Sequence, residues 1–275
     1  MTQTGRTGPG RSGPAGGRNR GPRRFGQGGR PGRAAEHSDD RTVLYGWHPV
    51  AEALRNPSRQ HLRLLATENG AHRLAEEIGD LPLAPQIVRA DEISRLLEPD
   101  SVHQGLYLES EPLAGPTLET LSEHALVLAL DQITDPHNVG AIVRTAAAFG
   151  VEAIVTTARH SPSVTGVLAK AASGGLEHVP FLIVRNLAEA LIELGERGFR
   201  RVGLDSEGEA DLSDVPVARP TILVLGAEGK GLRQRTRDCC DVVARLDMPG
   251  AIKSLNVSNA AAIALYALSG RRERG

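Results

Sequence analysis

The sequence predicts an α/β protein whose main part is a largely parallel, doubly wound sheet. Near-continuous apolar runs recur at residues 125–130, 153–156, 181–184, 201–204, 221–225 and 242–246. Such runs suit strands buried on both faces of a parallel sheet. Helical segments at 139–149, 187–197 and 231–237 lie between most of them, and alternation of this kind argues for a βα architecture. At 275 residues the chain is long enough for a sizeable core, and 40% hydrophobic with 24% charged residues is a globular composition. No stretch reaches the roughly 20 apolar residues of a membrane helix. The N-terminus lacks the apolar segment of a secretory signal, so the expected location is cytoplasmic.

Residues 1–40 read as a Gly/Arg/Pro-rich tail. Eight arginines and no acidic residue fall within 1–35, which leaves 24 basic against 33 acidic residues in the rest of the chain. A near-neutral total therefore conceals a polycation attached to a mildly acidic body. The tail has too little apolar surface to offset its ordering entropy, so disorder is expected. Its arginines suit a salt-sensitive contact to nucleic acid, and a merely solubilising extension is the other reading.

Residues 41–110 form a smaller α/β unit, with strands expected at 43–45, 62–67, 86–88 and 105–109 and helices at 48–55, 71–78 and 91–97. The Pro/Gly stretch Glu111-Pro112-Leu113-Ala114-Gly115-Pro116 marks a linker over 111–120. The larger unit, 121–275, ends in a helix over 257–268. Cys239 and Cys240 are adjacent: a disulfide between them would be strained, and two thiols are too few for a zinc site. They are expected to be reduced.

Ligands of open parallel sheets gather at the C-terminal ends of strands, and three segments stand there. The first runs from Asp131 to Ala146 and contains Asp135-Pro136-His137-Asn138-Val139-Gly140. Asn138 is suited to cap the following helix. Arg144 has Gly140, Ala141, Ala147 and Ala148 as helical neighbours, all small. That face suits approach by a phosphate or another chain, or marks an ordinary packing helix with a surface arginine.

The second segment, Leu225-Gly226-Ala227-Glu228-Gly229-Lys230-Gly231-Leu232, is a glycine-rich turn between strand and helix. It is neither a Walker A loop nor a G-x-G-x-x-G turn, so a nucleotide-type ligand would be held by backbone contacts of another kind. The third segment runs from Leu246 to Ala260 through Pro249-Gly250, with Ser254 or Asn256 placed to cap the final helix. Ala260, Ala261, Ala262 and Ala264 give that helix a small face suited to close packing, including across a dimer. No metal-ligand spacing and no nucleophile elbow appears, and His137 reads as a loop residue near the site.

In order, spacing and wording, these segments resemble the signature motifs of the SpoU/TrmH branch of the SPOUT RNA methyltransferases. The resemblance extends from Tyr45 to the C-terminus. It includes Tyr45-Gly46-Trp47-His48-Pro49 and Val102-His103-Gln104-Gly105 of the smaller unit, which look like the RNA-binding substrate domain of the bacterial 23S rRNA guanosine-2′-O-methyltransferase subgroup (the RlmB type). The resemblance implies a SPOUT domain with a C-terminal trefoil knot, preceded by a small α/β RNA-binding domain, and a homodimer. It implies S-adenosylmethionine as cofactor, no metal, and 23S rRNA as partner, at a guanosine of the peptidyl-transferase P-loop. Gly226, Leu246 and Leu255 would line the cofactor pocket. Asn138, Arg144, Glu228, Ser254 and Asn256 match the polar active-site positions. A tRNA 2′-O-methyltransferase shares the same three motifs, and a non-catalytic ribosome-assembly factor is the reading outside the enzyme class.

Overall fold

The computed structural model describes residues 41–159, 166–216 and 220–272. The expectation for the arginine-rich tail lies outside the described residues. The chain begins with β1 (Thr42–Tyr45), α1 (Trp47–Arg55), β2 (His61–Ala66), α2 (Glu68–Ile78), β3 (Gln86–Ile87), α3 (Ala90–Ser94) and β4 (Leu106–Ser110). The expected alternation is present, but the sheet is mixed. Its order is β1-β4-β2-β3, with β4 antiparallel to both of its neighbours and β3 parallel to β2. Strand β4 returns to insert between β1 and β2, a long-range choice that local alternation does not encode.

The second sheet uses β5 (Leu126–Asp131), α4 (Pro136–Ala148), β6 (Ala153–Thr157), α5 (Gly166–Ala172), β7 (Phe181–Val184), α6 (Leu187–Glu196), β8 (Arg200–Leu204), β9 (Ala210–Asp211), β10 (Thr221–Gly226), α7 (Gln234–Asp238), β11 (Val242–Arg245) and α8 (Val257–Arg272). Its order is β7-β6-β5-β10-β8-β11-β9, and every pairing is parallel. Alternate residues of β5 enter separate cores. Leu126, Leu128 and Leu130 pack on one face of the sheet, and Val127 and Ala129 on the other. Apolar residues at every position are therefore required, which is why the runs in the sequence are continuous.

Three local expectations change. The cap of α4 is Asp135, whose carboxylate accepts from the His137 N–H at 3.2 Å, with Pro136 in the first turn. Asn138 is thereby freed from the capping role expected of it. Helix α7 starts at Gln234 rather than Gly231. Gly229 and Gly231 hold positive φ of 73° and 63°, and the Ala227 carbonyl closes the turn by accepting from the Gly231 N–H at 2.9 Å. The small neighbours of Arg144 do not all form an open face, because a Cβ on Gly140 would collide with Ala171 and the Leu168 carbonyl of α5. Gly140 is a close-approach point for two helices.

Residues 111–120 run against the larger sheet. Gly115 lies on the Phe181 carbonyl of β7 with no room for a Cβ, and Arg197 donates to the Leu121 carbonyl at 2.9 Å. The core that covers one face of the large sheet is continuous with that of the small one, through Leu44, Trp47 and Val50. An ion pair seals this junction. Arg59 and Glu177 meet at 2.6 Å with both side chains 3% exposed, and Asn56 Nδ2 donates to the same carboxylate at 2.8 Å. A buried pair of this kind adds little net stability but is costly to break from one side. Glu177→Ala leaves the Arg59 charge buried without its partner, so a loss of about 3–5 kcal/mol is expected. The check is the urea midpoint, and an unchanged midpoint would contradict this account of the junction.

Candidate active site

Gly226, at the end of β10, stands opposite Asp131, at the end of β5, so the first two motif segments leave the sheet side by side. The chain order reverses between β5 and β10, the switch point where an open parallel sheet leaves a crevice. The third segment arrives from β11 and ends at α8.

These segments are joined at one carboxylate oxygen. Glu228 Oε1 accepts from Asn256 Nδ2 at 2.7 Å, from the Val257 N–H at 3.0 Å and from Asn138 Nδ2 at 3.3 Å. Asn256 Nδ2 also donates to Asn138 Oδ1 at 2.9 Å. The other end of the Asn256 amide caps α8, accepting from the Ser258 N–H at 2.9 Å and the Ser258 hydroxyl at 2.6 Å. The first N–H groups of a helix lack internal partners, and an anion is favoured there. Glu228 therefore sits where the N-terminus of α8 needs an acceptor, and that requirement sets the direction of both asparagine amides.

Beside this cluster a cavity of about 530 Å³ opens at the ends of β8, β10 and β11. Gly226, Leu246 and Leu255 line it, together with Glu228 and Ser254. A Cβ on Gly226 would collide with the backbone of Gly231 and Leu232, so the glycine turn folds directly onto the strand end. Its wall carries both signs of charge, with Asp205, Glu207 and Glu228 against Lys230, Arg237 and Lys253.

The geometry thus brings together Asn138, Glu228 and Asn256, and places Ser254 on the cavity wall. Arg144 belongs to neither group. It is exposed on α4, forms no hydrogen bond or ion pair among the described residues, and is supported from behind by Gly175, which packs on its backbone. A guanidinium held out in this way is free to take an anionic ligand.

Two carboxylates were assigned no part by the sequence and prove to shape the site. Asp131 is fully buried and receives Arg233 twice, from Nε at 2.6 Å and from the backbone N–H at 3.1 Å. Asp205 accepts from the Leu232 N–H at 3.0 Å, and Arg237 stands 3.5 Å from it. Both hold the glycine turn in place. The available signal was an aspartate closing an apolar run, as each of them does. Cys239 and Cys240 are free thiols packed on the opposite face of the sheet, and burial pushes the Cys240 thiol up to about 12. Cys240 is therefore no nucleophile near neutral pH. Among the described residues no group of three or more His, Cys, Asp or Glu side chains is placed to hold a metal ion, and no helix is long and apolar enough to cross a membrane.

Residues 125–266 match the SpoU rRNA methylase family, and residues 43–115 match the substrate-binding domain of RNA 2′-O ribose methyltransferases. The chain belongs to the SpoU methylase family. It is accordingly an RNA methyltransferase, as the three motif segments led us to expect. The 23S rRNA (guanosine-2′-O-)-methyltransferase RlmB of Pseudomonas aeruginosa is 37% identical over 238 residues, covering 83% of this chain and 96% of that one. An uncharacterized tRNA/rRNA methyltransferase of Mycobacterium avium is 35% identical over 256 residues, covering 89% and 82%. Among solved structures, the SpoU methyltransferase AviRb of Streptomyces viridochromogenes, in complex with AdoMet, aligns with a TM-score of 0.73 at 24% identity, covering 86% of this chain and 92% of that one. That likeness is one of fold, and it covers the parallel-sheet α/β architecture described above.

For a SpoU methylase built this way, Glu228→Ala removes the acceptor shared by two asparagines and a helix N-terminus. Misplacement of positioning groups by about 1 Å costs on the order of 10²-fold in rate. Methyl transfer is expected to fall by that order while the thermal midpoint changes by only a few degrees. Full activity in this variant would remove Glu228 from the site.

Proposed function

We propose that this chain transfers the methyl group of S-adenosylmethionine to a ribose 2′-hydroxyl of 23S rRNA, at a guanosine of the peptidyl-transferase P-loop. The observation that carries this reading is the Asn138–Glu228–Asn256 cluster at the rim of the strand-end cavity, with an unpaired Arg144 on the helix that presents Asn138. The rRNA target is supported by the similarity to the Pseudomonas aeruginosa enzyme along almost the whole of its length.

The cavity fits the cofactor in size and chemistry. About 530 Å³ lies within the usual range for small-molecule sites, and its mixed charges suit a ligand that carries both an ammonium and a carboxylate. Gly226, Leu246 and Leu255 would hold it, chiefly through main-chain groups. When bound, it supplies a methyl group on a sulfonium centre, with a neutral thioether as leaving group.

The chain's own residues then have to position a weak nucleophile and stabilise the negative charge that develops on it. Arg144 is assigned to a substrate phosphate and to the ribose oxygen. A guanidinium with a pKa above about 12 is a poor general base but a persistent cation and a multiple donor. Ser254 faces the cavity and is assigned to orienting the ribose. Asn138 and Asn256, whose amides are fixed by Glu228, set the rim against which the nucleotide lies.

Within this reading, residues 121–275 are the catalytic domain, with the chain between β11 and α8 forming the family's trefoil knot. Residues 41–110 are the RNA reader, 111–120 join the two, and the arginine-rich tail 1–40 adds affinity for RNA. The small reader domain favours a structured rRNA loop over tRNA as substrate. The outward face of α8 exposes Ile263 and Tyr266, with Tyr266 edge-on to Phe149 at 6.4 Å between ring centres, and a second copy is assigned to that face. The enzyme is placed in the cytoplasm, where its rRNA substrate is found.

The test is transfer of labelled methyl from S-adenosylmethionine to separated 23S rRNA, 16S rRNA and tRNA. Label is expected in 23S rRNA alone, at a single guanosine. Arg144→Ala is expected to lose transfer while binding the cofactor as the wild type does. Label confined to tRNA would overturn the substrate, and wild-type turnover by Arg144→Ala would overturn the role of that residue.

A further inference from the structure

The two segments of the small unit that resemble the family, Tyr45–Pro49 and Val102–Gly105, meet at one side chain. Gln104 Oε1 accepts from the Trp47 N–H at 2.9 Å and from Lys170 Nζ of α5 at 3.2 Å. Gly46 lies under that ammonium, and a Cβ there would collide with it. A glutamine amide has chemically different ends. With both inward donors on Oε1, Nε2 is turned outward. Gln104 is exposed, and Nε2 donates to no group among the described residues.

The backbone around Gln104 is held for this display. Its φ is +53°, a conformation that glycine adopts freely and glutamine does not. Its neighbours lock the turn. His103 Nδ1 accepts from the Gly105 N–H at 3.0 Å, so the ring proton lies on Nε2, 3.1 Å from the Ser94 hydroxyl, which donates onward to the Ala90 carbonyl. Burial and the Lys170 charge both lower the His103 pKa, which favours the neutral ring. Lys170 spends one of its three N–H groups on Gln104. Nearby, the Arg73 guanidinium lies 3.6 Å over the Trp47 ring. The donors left over at this spot are the exposed Gln104 amide and the remaining protons of the half-buried Lys170, while the guanidinium is paired with Glu77 at 2.9 Å. A ligand for such a surface is rich in acceptor oxygens.

We propose that Gln104 and Lys170 form a contact to the RNA substrate, shared between the small sheet and α5, that takes acceptor oxygens of the nucleic acid and sets how the RNA enters the site. This rests on the RNA substrate proposed above. Helix α5 gives the contact its connection to the chemistry. Lys170 points to the small sheet, while its neighbour Ala171 packs on Gly140 of α4, the helix that carries Asn138 and Arg144. RNA held at Gln104 is thus referenced to the catalytic helix through one intervening helix.

Gln104→Glu separates an RNA contact from a purely internal latch. A carboxylate keeps both inward hydrogen bonds and strengthens the one to Lys170, but turns the outward donor into a negatively charged acceptor. The KM for 23S rRNA is expected to rise about tenfold or more, the scale of losing a charge-assisted contact. The kcat at saturating RNA, the affinity for S-adenosylmethionine and the thermal midpoint are expected to stay as in the wild type. Gln104→Ala, which loses both ends of the amide, is expected to raise the KM as well. If Gln104→Glu keeps the wild-type KM, the contact is refuted, whether or not Gln104→Ala is impaired. If the wild-type protein methylates no RNA, the proposed function fails first and this inference with it.

Discussion

A single carboxylate oxygen holds the candidate site together. Three chain segments, separated by long stretches of sequence, leave the sheet at different strand ends, and Glu228 Oε1 receives a donor from two of them as part of the same cluster. The arrangement is stable because helix α8 needs an acceptor at its first N–H and favours negative charge there. With the carboxylate fixed by that need, Asn256 has one amide orientation available, its Oδ1 capping the helix and its Nδ2 turned to Glu228 and Asn138. Orientation at the site therefore follows from helix-end physics rather than from any special reactivity of the groups involved.

The same economy appears in how the two sheets are coupled. Helix α5 is short, yet it touches the small sheet through Lys170 and Gly166 and touches α4 through Leu168 and Ala171. The buried Arg59–Glu177 pair closes the junction on the other side of the residues that back Arg144. The small sheet, which matches a substrate-binding family, is by this route packed against α4, the helix that carries Asn138 and Arg144. Direct packing of this kind suits the proposed reaction, whose main requirement is alignment.

Much of this was legible before the structure. Strands β5, β6, β7, β8, β10 and β11 were readable because a strand buried on both faces must be apolar at every position. The three motif segments were readable because they stand at strand ends, and Asn138, Glu228 and Asn256 within them were singled out by the resemblance to the SpoU/TrmH family. The cap of α4 was misread: Asp135 and Asn138 are both good capping types, and Pro136 in the first turn decides for Asp135. Helix α5 and strand β9 carry no apolar period of useful length. The pair Arg59–Glu177 joins residues 118 apart, and nothing local marks it. Asp131 and Asp205 were visible as residues, but their partners lie on a turn whose fold depends on them.

In the proposed function this site places a ribose 2′-oxygen, and not a base atom, in line with a methyl donor. Alkaline hydrolysis of RNA labelled by the purified protein tests it most directly, because cleavage needs a free 2′-hydroxyl next to the phosphate. The label is expected in an alkali-resistant dinucleotide. Label released in a mononucleotide would place the methyl on a base and contradict it.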